Sequence, residues 1–150
     1  MTDNPYLVGL RLAGKKVLVV GGGSVAQRRI PLLIATGADV HVISRSATPA
    51  VEAMSGITLT LRPFEEGDLD GAWYVLALTD SADANAVVAA DAEARHTFCV
   101  RADRASGGSA WTPATGDATG VTMAAIADHD PLRARRIRDR LVEVVRDESL

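Results

Sequence analysis

Short runs of apolar residues alternate with longer, more polar segments along most of this chain. Continuous apolar runs rich in β-branched residues are typical of strands buried on both faces of a sheet. The segments between them place apolar residues three or four positions apart, which is the period of a helix. Strands that alternate with helices predict βα units and a parallel sheet, so the predicted fold class is α/β and doubly wound.

The pattern places the predicted elements as follows. Strands are expected at residues 16–20, 40–43, 57–61, 73–78, 97–100 and 121–126, and helices at 24–36, 49–55, 83–95 and 131–145. Ser24 is the expected cap of the first helix, and Gly37 the residue that ends it. Residues 103–120 are rich in Gly, Ser, Ala and Thr, and are expected to form a mobile connection.

The sequence Gly21-Gly22-Gly23-Ser24-Val25-Ala26 lies between the first predicted strand and the first predicted helix. It fits the G-x-G-x-x-A pattern, in which Gly21 allows the tight turn, Gly23 lets a pyrophosphate approach and Ala26 allows close helix packing. The helix N-terminus offers its N–H groups to the phosphates. The motif predicts a dinucleotide site in a Rossmann-like domain at residues 1–115, followed by a C-terminal extension at residues 116–150. A glycine turn that serves geometry alone is the alternative.

Dinucleotide sites commonly have an acidic residue at the end of the second strand, where it binds the ribose hydroxyls. This chain has Ile43-Ser44-Arg45-Ser46 there, without an acid. Arg45 is either an exposed loop cation or a contact to the 2′-phosphate of NADP. The residues alone therefore leave NAD and NADP open.

Polar residues also follow the fourth and fifth predicted strands, at the sheet edge where open α/β folds bind ligands. Asp103 suits a general base there, because partial burial would raise the pKa of its carboxyl group. A loop-capping role for Asp103 is the alternative, and the residues alone favour it. Thr79 is a candidate cofactor contact, and Asp80 either contacts the cofactor or caps the next helix.

Composition narrows the choice of function. The net charge of −3 and the isoelectric point near 5.6 disfavour nucleic-acid binding. Cys99 is the single cysteine, which excludes an internal disulfide and fits a reducing cytoplasm. The three histidines, His41, His96 and His129, lie too far apart in sequence for a metal-binding motif. Neither an apolar leader nor a membrane-spanning segment is recognisable.

The last predicted helix carries an unusual concentration of arginines, at positions 133, 135, 136, 138 and 140. Such a helix is most often a solvated face. It could otherwise form a subunit interface or bind a ligand with several carboxylates. Its apolar residues Leu132, Ile137, Leu141 and Val145 lie roughly on one face and would pack on the domain or against a second subunit.

Several segments together resemble one family, the precorrin-2 dehydrogenase/sirohydrochlorin ferrochelatase family, which is also the N-terminal module of siroheme synthase. The resemblance rests on Tyr6-Leu7-Val8-Gly9-Leu10, Lys16 to Arg29, Ala77-Leu78-Thr79-Asp80, Asn85 and Phe98-Cys99. It implies NAD-dependent oxidation of precorrin-2, a tetrapyrrole with many carboxylates, to sirohydrochlorin in siroheme biosynthesis in the cytoplasm. Ferrochelatase activity, a homodimer and a methyltransferase domain in a fused siroheme synthase are further properties of the family.

The same resemblance assigns residue roles. Asp103 falls at the position of the family's catalytic aspartate. The expected cofactor contacts are Gly21, Gly23, Ser24, Val25, Ser44 and Thr79, with NAD favoured over NADP and no metal ligand assigned. The family usually has an Asn shortly before the aspartate, where this chain has Val100-Arg101-Ala102, so the hydrogen bonding around Asp103 is expected to differ.

Two other functions remain open from the sequence. One is a non-catalytic NAD(H)-binding regulatory module, similar to the cytosolic regulators of ion transporters. Such modules commonly keep the acid after the second strand that this chain lacks. The other is a protein that acts only as a chelatase, which would depend on metal without consuming NAD.

Overall fold

The computed structural model describes residues 4–147, which form two compact units with the boundary after Trp111. The first unit contains a five-stranded sheet with helices, and the second contains a two-stranded sheet with one helix. The strands are β1 (Lys16–Val20), β2 (Asp39–Ser44), β3 (Ile57–Leu61), β4 (Tyr74–Ala77), β5 (Phe98–Arg101), β6 (Ala114–Ala118) and β7 (Val121–Ala125). The helices are α1 (Ser24–Ala35), α2 (Pro49–Glu52), α3 (Ala82–Ala94) and α4 (Pro131–Arg146). A functional division after residue 115 stays a prediction.

The large sheet has the strand order β3-β2-β1-β4-β5, and every neighbouring pair is parallel. β1 lies at its centre, where Val17 pairs with Val40 on one side and with Tyr74 on the other. The central position explains why β1 is a continuous apolar run, since both of its faces are covered.

Alternate side chains of β1 enter two separate core clusters. Val17 and Val19 pack in one cluster with Ile30 of α1, and Leu18 packs in the other with Val88 of α3. Helices therefore cover both faces of the sheet. The predicted fold class, α/β with a doubly wound, Rossmann-like parallel sheet and a C-terminal helix, is confirmed.

The strand order also places the site. From β1 the chain builds outward through β2 to β3, and then returns to add β4 on the other side of β1. The loops that leave β1 and β4 therefore diverge and open a crevice at the carboxyl ends of the strands. The glycine turn follows β1 and Thr79 follows β4 at this crevice.

Two local predictions are wrong. Residues 103–120 were expected to form a mobile connection without a strand, but they contain a 3-10 turn at Ala105–Gly107 and strand β6. β6 has few apolar residues, and pairing with β7 and packing against α4 stabilise it. A Cβ at Gly116 would lie 2.6 Å from a methyl carbon of Val142, so the missing side chain allows α4 to approach. Ser24 is the first residue of α1 rather than its cap, and Gly23 holds the cap position.

Within residues 4–147, no helix is both long enough and apolar enough to cross a lipid bilayer.

Candidate functional site

A cleft of about 850 Å³ opens at the carboxyl ends of the central strands. The glycine turn, the loop after β2 and the loop after β4 line it. All the residues predicted to contact the cofactor lie on its wall, namely Gly21, Gly23, Ser24, Val25, Ser44 and Thr79. Residues far apart in the sequence are thus brought together at one site, although their roles there stay predictions.

The three glycines of the turn differ in what a side chain would contact at their positions. Gly21 has a φ of 125°, and a Cβ there would lie 2.7 Å from the carbonyl oxygen of Leu78. A Cβ at Gly22 would lie 2.7 Å from the carbonyl oxygen of Ser46. At Gly23 the φ is −87°, an ordinary value, and an added Cβ would meet no atom within 4 Å. The fold therefore requires Gly21 and Gly22, whereas the absence of a side chain at Gly23 leaves open space beside the cleft. That space fits a pyrophosphate.

The N-terminus of α1 faces the same part of the cleft. No side chain caps the helix, and its first turn contains no acidic residue. The first N–H groups of a helix have no partner within the helix, and its macrodipole places partial positive charge there. Ala26 is fully buried against the sheet, as the G-x-G-x-x-A pattern requires. The geometry fits an anionic group such as a pyrophosphate.

The loop after β2 is fastened to the glycine turn. The backbone N–H of Thr48 donates to the carbonyl oxygen of Gly22 at 2.9 Å, and its hydroxyl donates to the amide oxygen of Gln27 at 2.9 Å. The Ser44 hydroxyl donates to the carbonyl oxygen of Ser46 at 2.5 Å. These bonds fix the backbone where the ribose of a dinucleotide would lie.

Two arginines line this part of the cleft, and they differ in their partners. Arg62 donates two hydrogen bonds to the Asp68 carboxylate, at 2.8 and 2.7 Å, and lies 3.6 Å from Glu65. These hydrogen bonds from Arg62 hold the pKa of Asp68 below its usual value. Arg45 is exposed and makes no hydrogen bond or ion pair with any residue in 4–147. Arg62 is therefore neutralised, while Arg45 carries a free positive charge.

Asn85, on α3, connects the loops after β4 and β5. It is fully buried, and its side-chain oxygen accepts from the N–H of Thr79 at 3.0 Å and from the Thr79 hydroxyl at 2.7 Å. Its amide group donates to the carbonyl oxygen of Thr79 at 3.0 Å and to the Asp103 carboxylate at 2.9 Å. Sequence reasoning gave Asn85 no role of its own. The available signal was an amide residue in a helix that is otherwise rich in alanine and valine.

Asp103 lies beside the cleft, next to Arg101. Arg101 donates to its two carboxylate oxygens at 3.2 and 2.7 Å. The hydrogen bonds from Arg101 lower the pKa of Asp103, the bond from Asn85 adds to this effect, and partial burial opposes both. The prediction of a raised pKa for Asp103 is therefore wrong. Burial by itself would raise this pKa, but the Arg101 guanidinium at the end of β5 contacts the carboxylate and lowers it. Asp103 itself does not line the cleft, but Asn85 connects it to Thr79, which does.

Contacts other than the one with Asp103 also fix the Arg101 side chain. Its side chain is 10% exposed, and it also donates to the carbonyl oxygen of Ala82 at 3.3 Å. A Cβ at Gly107 would lie 2.8 Å from an Arg101 guanidinium nitrogen, so the 3-10 turn packs directly on this side chain. The ion pair is consequently fixed at the end of β5.

The alternative of a helix cap at Asp80 is also wrong. Ser81 caps α3, because its hydroxyl accepts from the N–H of Ala84 at 3.2 Å. Asp80 is exposed on the wall of the cleft. Its carboxylate has no hydrogen-bond or ion-pair partner within residues 4–147, so it is available to a ligand.

The described residues offer neither a metal site nor a reactive thiol. Among residues 4–147, no group of three or more His, Cys, Asp or Glu side chains could hold a metal ion. Cys99 is buried, and burial raises the pKa of its thiol to about 11. A thiol with this pKa is almost entirely protonated near neutral pH and is a poor nucleophile.

Comparison with known proteins agrees with this geometry. A family model described as "Putative NAD(P)-binding" matches residues 8–114. Siroheme synthase from Escherichia coli O157:H7 (strain EC4115 / EHEC) is 34% identical over 135 residues, which are 87% of this chain and 30% of that protein. Siroheme synthase from Pseudomonas fluorescens (strain SBW25) is 36% identical over 134 residues, which are 87% of this chain and 29% of that protein. The chain thus spans about a third of the length of these relatives.

A solved structure described as SirC, precorrin-2 dehydrogenase, superposes with a TM-score of 0.79 and is 26% identical in sequence. The match covers 93% of this chain and 70% of that one. The expected resemblance to the dehydrogenase module of siroheme synthase is confirmed. This chain belongs to the family described as "Putative NAD(P)-binding", as a module similar to precorrin-2 dehydrogenase.

Proposed function

We propose that this chain is an NAD-dependent precorrin-2 dehydrogenase that forms sirohydrochlorin. The observation that carries the proposal is the open glycine cleft at the β1–β4 switch point, in a chain that superposes on SirC over 93% of its length. In the siroheme synthases the similar region is about 30% of the protein. We therefore propose that this chain has the same dehydrogenase role if it is the front module of a fused siroheme synthase.

The cleft residues would divide the dinucleotide among them. The turn at Gly21 and Gly23 and the N-terminal N–H groups of α1 would hold the pyrophosphate, with Ser24 and Val25 beside it. Ser44 would lie near the adenosine ribose, and Thr79 near the nicotinamide half. NAD, when bound, supplies the acceptor for the substrate's hydride.

Asp103 would accept a proton from the tetrapyrrole. Arg101 and Asn85 keep its carboxylate ionised and orient it, so that the acceptor form is present throughout the neutral pH range. A carboxylate with a lowered pKa is a weak base. Weak basicity is sufficient here, because loss of a hydride makes the neighbouring proton of the substrate acidic.

The test is an anaerobic assay of the purified chain with precorrin-2 and NAD⁺, in which NADH and sirohydrochlorin are measured together. Asp103→Asn should lose turnover by a factor of about 100 or more, while NAD affinity changes less than about twofold. Asp128→Asn is the matched control, because the Asp128 side chain is 97% exposed. Equal loss of NAD binding and turnover in Asp103→Asn would show that Asp103 has a structural role instead.

One observation favours a second candidate function, a regulatory module that binds NAD(H) but catalyses no reaction. The Arg101–Asp103 ion pair makes the carboxylate a weaker proton acceptor than a carboxylate without a cationic partner. Such a module would bind NAD⁺ tightly in the same assay but form no sirohydrochlorin. Binding without turnover would therefore replace the first proposal with this one.

A further inference from the structure

We infer that the adenosine end of the cleft binds NADP at least as tightly as NAD, and that Arg45 recognises the 2′-phosphate. This inference rests on the dinucleotide half of the proposed function. It goes beyond it by naming the residue that determines which dinucleotide is accepted.

The first observation is the missing acid. β2 ends at Ser44, the position from which an Asp or Glu would bind the ribose 2′-hydroxyl and repel a 2′-phosphate. Asp80 is the acidic residue on the cleft wall, and it follows β4, on the other side of β1 from β2. No carboxylate of the cleft wall therefore opposes a phosphate at the end of β2.

The second observation is the unpaired cation. Arg45 directly follows β2, lines the cleft and has no hydrogen-bond or ion-pair partner among residues 4–147. Arg62, the other arginine on the wall, already binds Asp68 with two hydrogen bonds. Arg45 is thus the guanidinium available to a phosphate, which it can bind with two parallel hydrogen bonds.

The third observation is that the loop of Arg45 is already ordered. Thr48 donates to the carbonyl oxygen of Gly22 at 2.9 Å, and a Cβ at Gly22 would lie 2.7 Å from the carbonyl oxygen of Ser46. The loop is therefore packed on the turn that would hold the pyrophosphate. A 2′-phosphate would meet Arg45 without first ordering the backbone, which lowers the entropic cost of binding.

The experiment measures the dissociation constants of NADP, NAD, 2′,5′-ADP and 5′-AMP by calorimetry with the full chain. Arg45→Ala should weaken NADP and 2′,5′-ADP by about tenfold or more, and should change NAD and 5′-AMP less than about twofold. Arg11→Ala is the matched control, because Arg11 is also exposed but does not line the cleft. It should leave all four constants unchanged.

A second variant tests the same site in the other direction. Ser44→Asp places a carboxylate at the end of β2, where it would bind the ribose hydroxyls and repel a 2′-phosphate. The ratio of NADP affinity to NAD affinity should fall by about tenfold or more. Added salt should weaken NADP binding more than NAD binding in the unmodified chain, because the extra contact is ionic.

The outcomes separate the two proposals. NAD binding with NADP bound more weakly than NAD, or an equal loss of both in Arg45→Ala, would overturn the inference and leave the proposed function standing. Binding of neither dinucleotide would overturn both. Tight NADP binding that depends on Arg45, without dehydrogenation of precorrin-2, would support the inference and reject the proposed reaction.

Discussion

At the residue scale, Gly21 and Gly23 differ most clearly in the space that is available for a side chain. Both are glycines of one turn, but a Cβ at Gly21 would lie 2.7 Å from the carbonyl oxygen of Leu78, whereas a Cβ at Gly23 would meet nothing within 4 Å. Gly21 also has a φ of 125°, which residues with a side chain rarely adopt. One glycine therefore serves the fold, and the other leaves space for a ligand.

This contrast predicts opposite effects of similar substitutions. Gly21→Ala should lower the free energy of unfolding by about 1–3 kcal/mol, because it adds backbone strain and a close contact. Gly23→Val should lower that free energy by about 1 kcal/mol at most, the cost of a poorer helix cap, but should abolish NAD binding, because its side chain would fill the space for the pyrophosphate. Urea unfolding and calorimetric titration measure the two effects. Retained NAD affinity in Gly23→Val would show that the pyrophosphate does not bind at this turn.

A second prediction at this scale concerns the Arg101–Asp103 pair. Because the pKa of Asp103 is lowered in the folded protein, the ionised carboxylate stabilises the fold above the ordinary aspartate pKa of about 4. This contribution is lost as the pH falls through the lowered folded pKa. Arg101→Met removes the main cause, so the pKa of Asp103 should rise and the acid-induced loss of stability should become shallower.

Carbon NMR titration of the Asp103 carboxyl group in both proteins measures this change directly. Arg11→Met serves as the control for the lost charge, since Arg11 is exposed and follows no strand of the sheet. The same titration midpoint in Arg101→Met and the unmodified protein would contradict a direct effect of the guanidinium. If the dehydrogenase proposal is correct, the acid limb of the turnover profile should shift upward in Arg101→Met as well.

At the element scale, α3 is joined to the sheet by a polar connection as well as by its apolar face. Val88 and Ala92 are buried in the core, while Asn85, one turn earlier, uses its amide group to bind the loops after both β4 and β5. The bonds to Thr79 fix the cleft wall, and the bond to Asp103 fixes the candidate proton acceptor. A helix can thus position two loops that are far apart in sequence.

The prediction at this scale is that Asn85→Ala destabilises the fold by about 1–3 kcal/mol, because the part-buried backbone N–H and carbonyl groups of Thr79 lose their bonds to Asn85. Urea unfolding followed by circular dichroism measures the loss. Ala86→Ser is a useful control, because Ala86 is the next residue of the same helix and is exposed. Alanine has a higher helix propensity than asparagine, so a loss of stability in Asn85→Ala that is no larger than the one in Ala86→Ser would show that the Asn85 bonds contribute little.

At the scale of the whole molecule, the cleft and the two apolar clusters of the sheet belong to the first unit. Every residue on the cleft wall precedes Trp111, and so do the residues of both core clusters. The second unit has its own contacts, in which α4 packs on the β6–β7 hairpin. All the groups that we propose for dinucleotide binding therefore come from one compact unit.

This organisation predicts that a fragment of residues 1–115 folds and binds NAD with an affinity within about threefold of that of the full chain. The physical reason is that the core and the cleft lining are complete without the second unit. Circular dichroism and calorimetry test the fold and the binding. A folded fragment without NAD affinity would show that residues beyond 115 contribute to the cofactor site, and an unfolded one that they stabilise the sheet.

The sequence predicted structural elements correctly where the local pattern has a single physical explanation. A continuous apolar run predicted β1, because only a strand covered on both faces needs it, and the glycines after it predicted the turn. β6 was missed because its residues, Ala114–Ala118, carry almost no apolar signal and form a strand through pairing with β7. Ser24 was misplaced by one position as a cap, because short polar residues are common on both sides of a helix start.

The sequence by itself determined the order of strands and helices from β1 to β5, the glycine turn and the absence of an acid after β2, since each depends on neighbouring residues. Only the tertiary structure decided which distant groups meet. Asn85 joins Thr79 to Asp103, and Arg101 lowers the pKa of Asp103. Arg62 is neutralised by Asp68, whereas Arg45 has no partner among residues 4–147. Hydrogen bonds and ion pairs depend on distances of a few ångströms. For residues far apart in the chain, folding alone sets those distances.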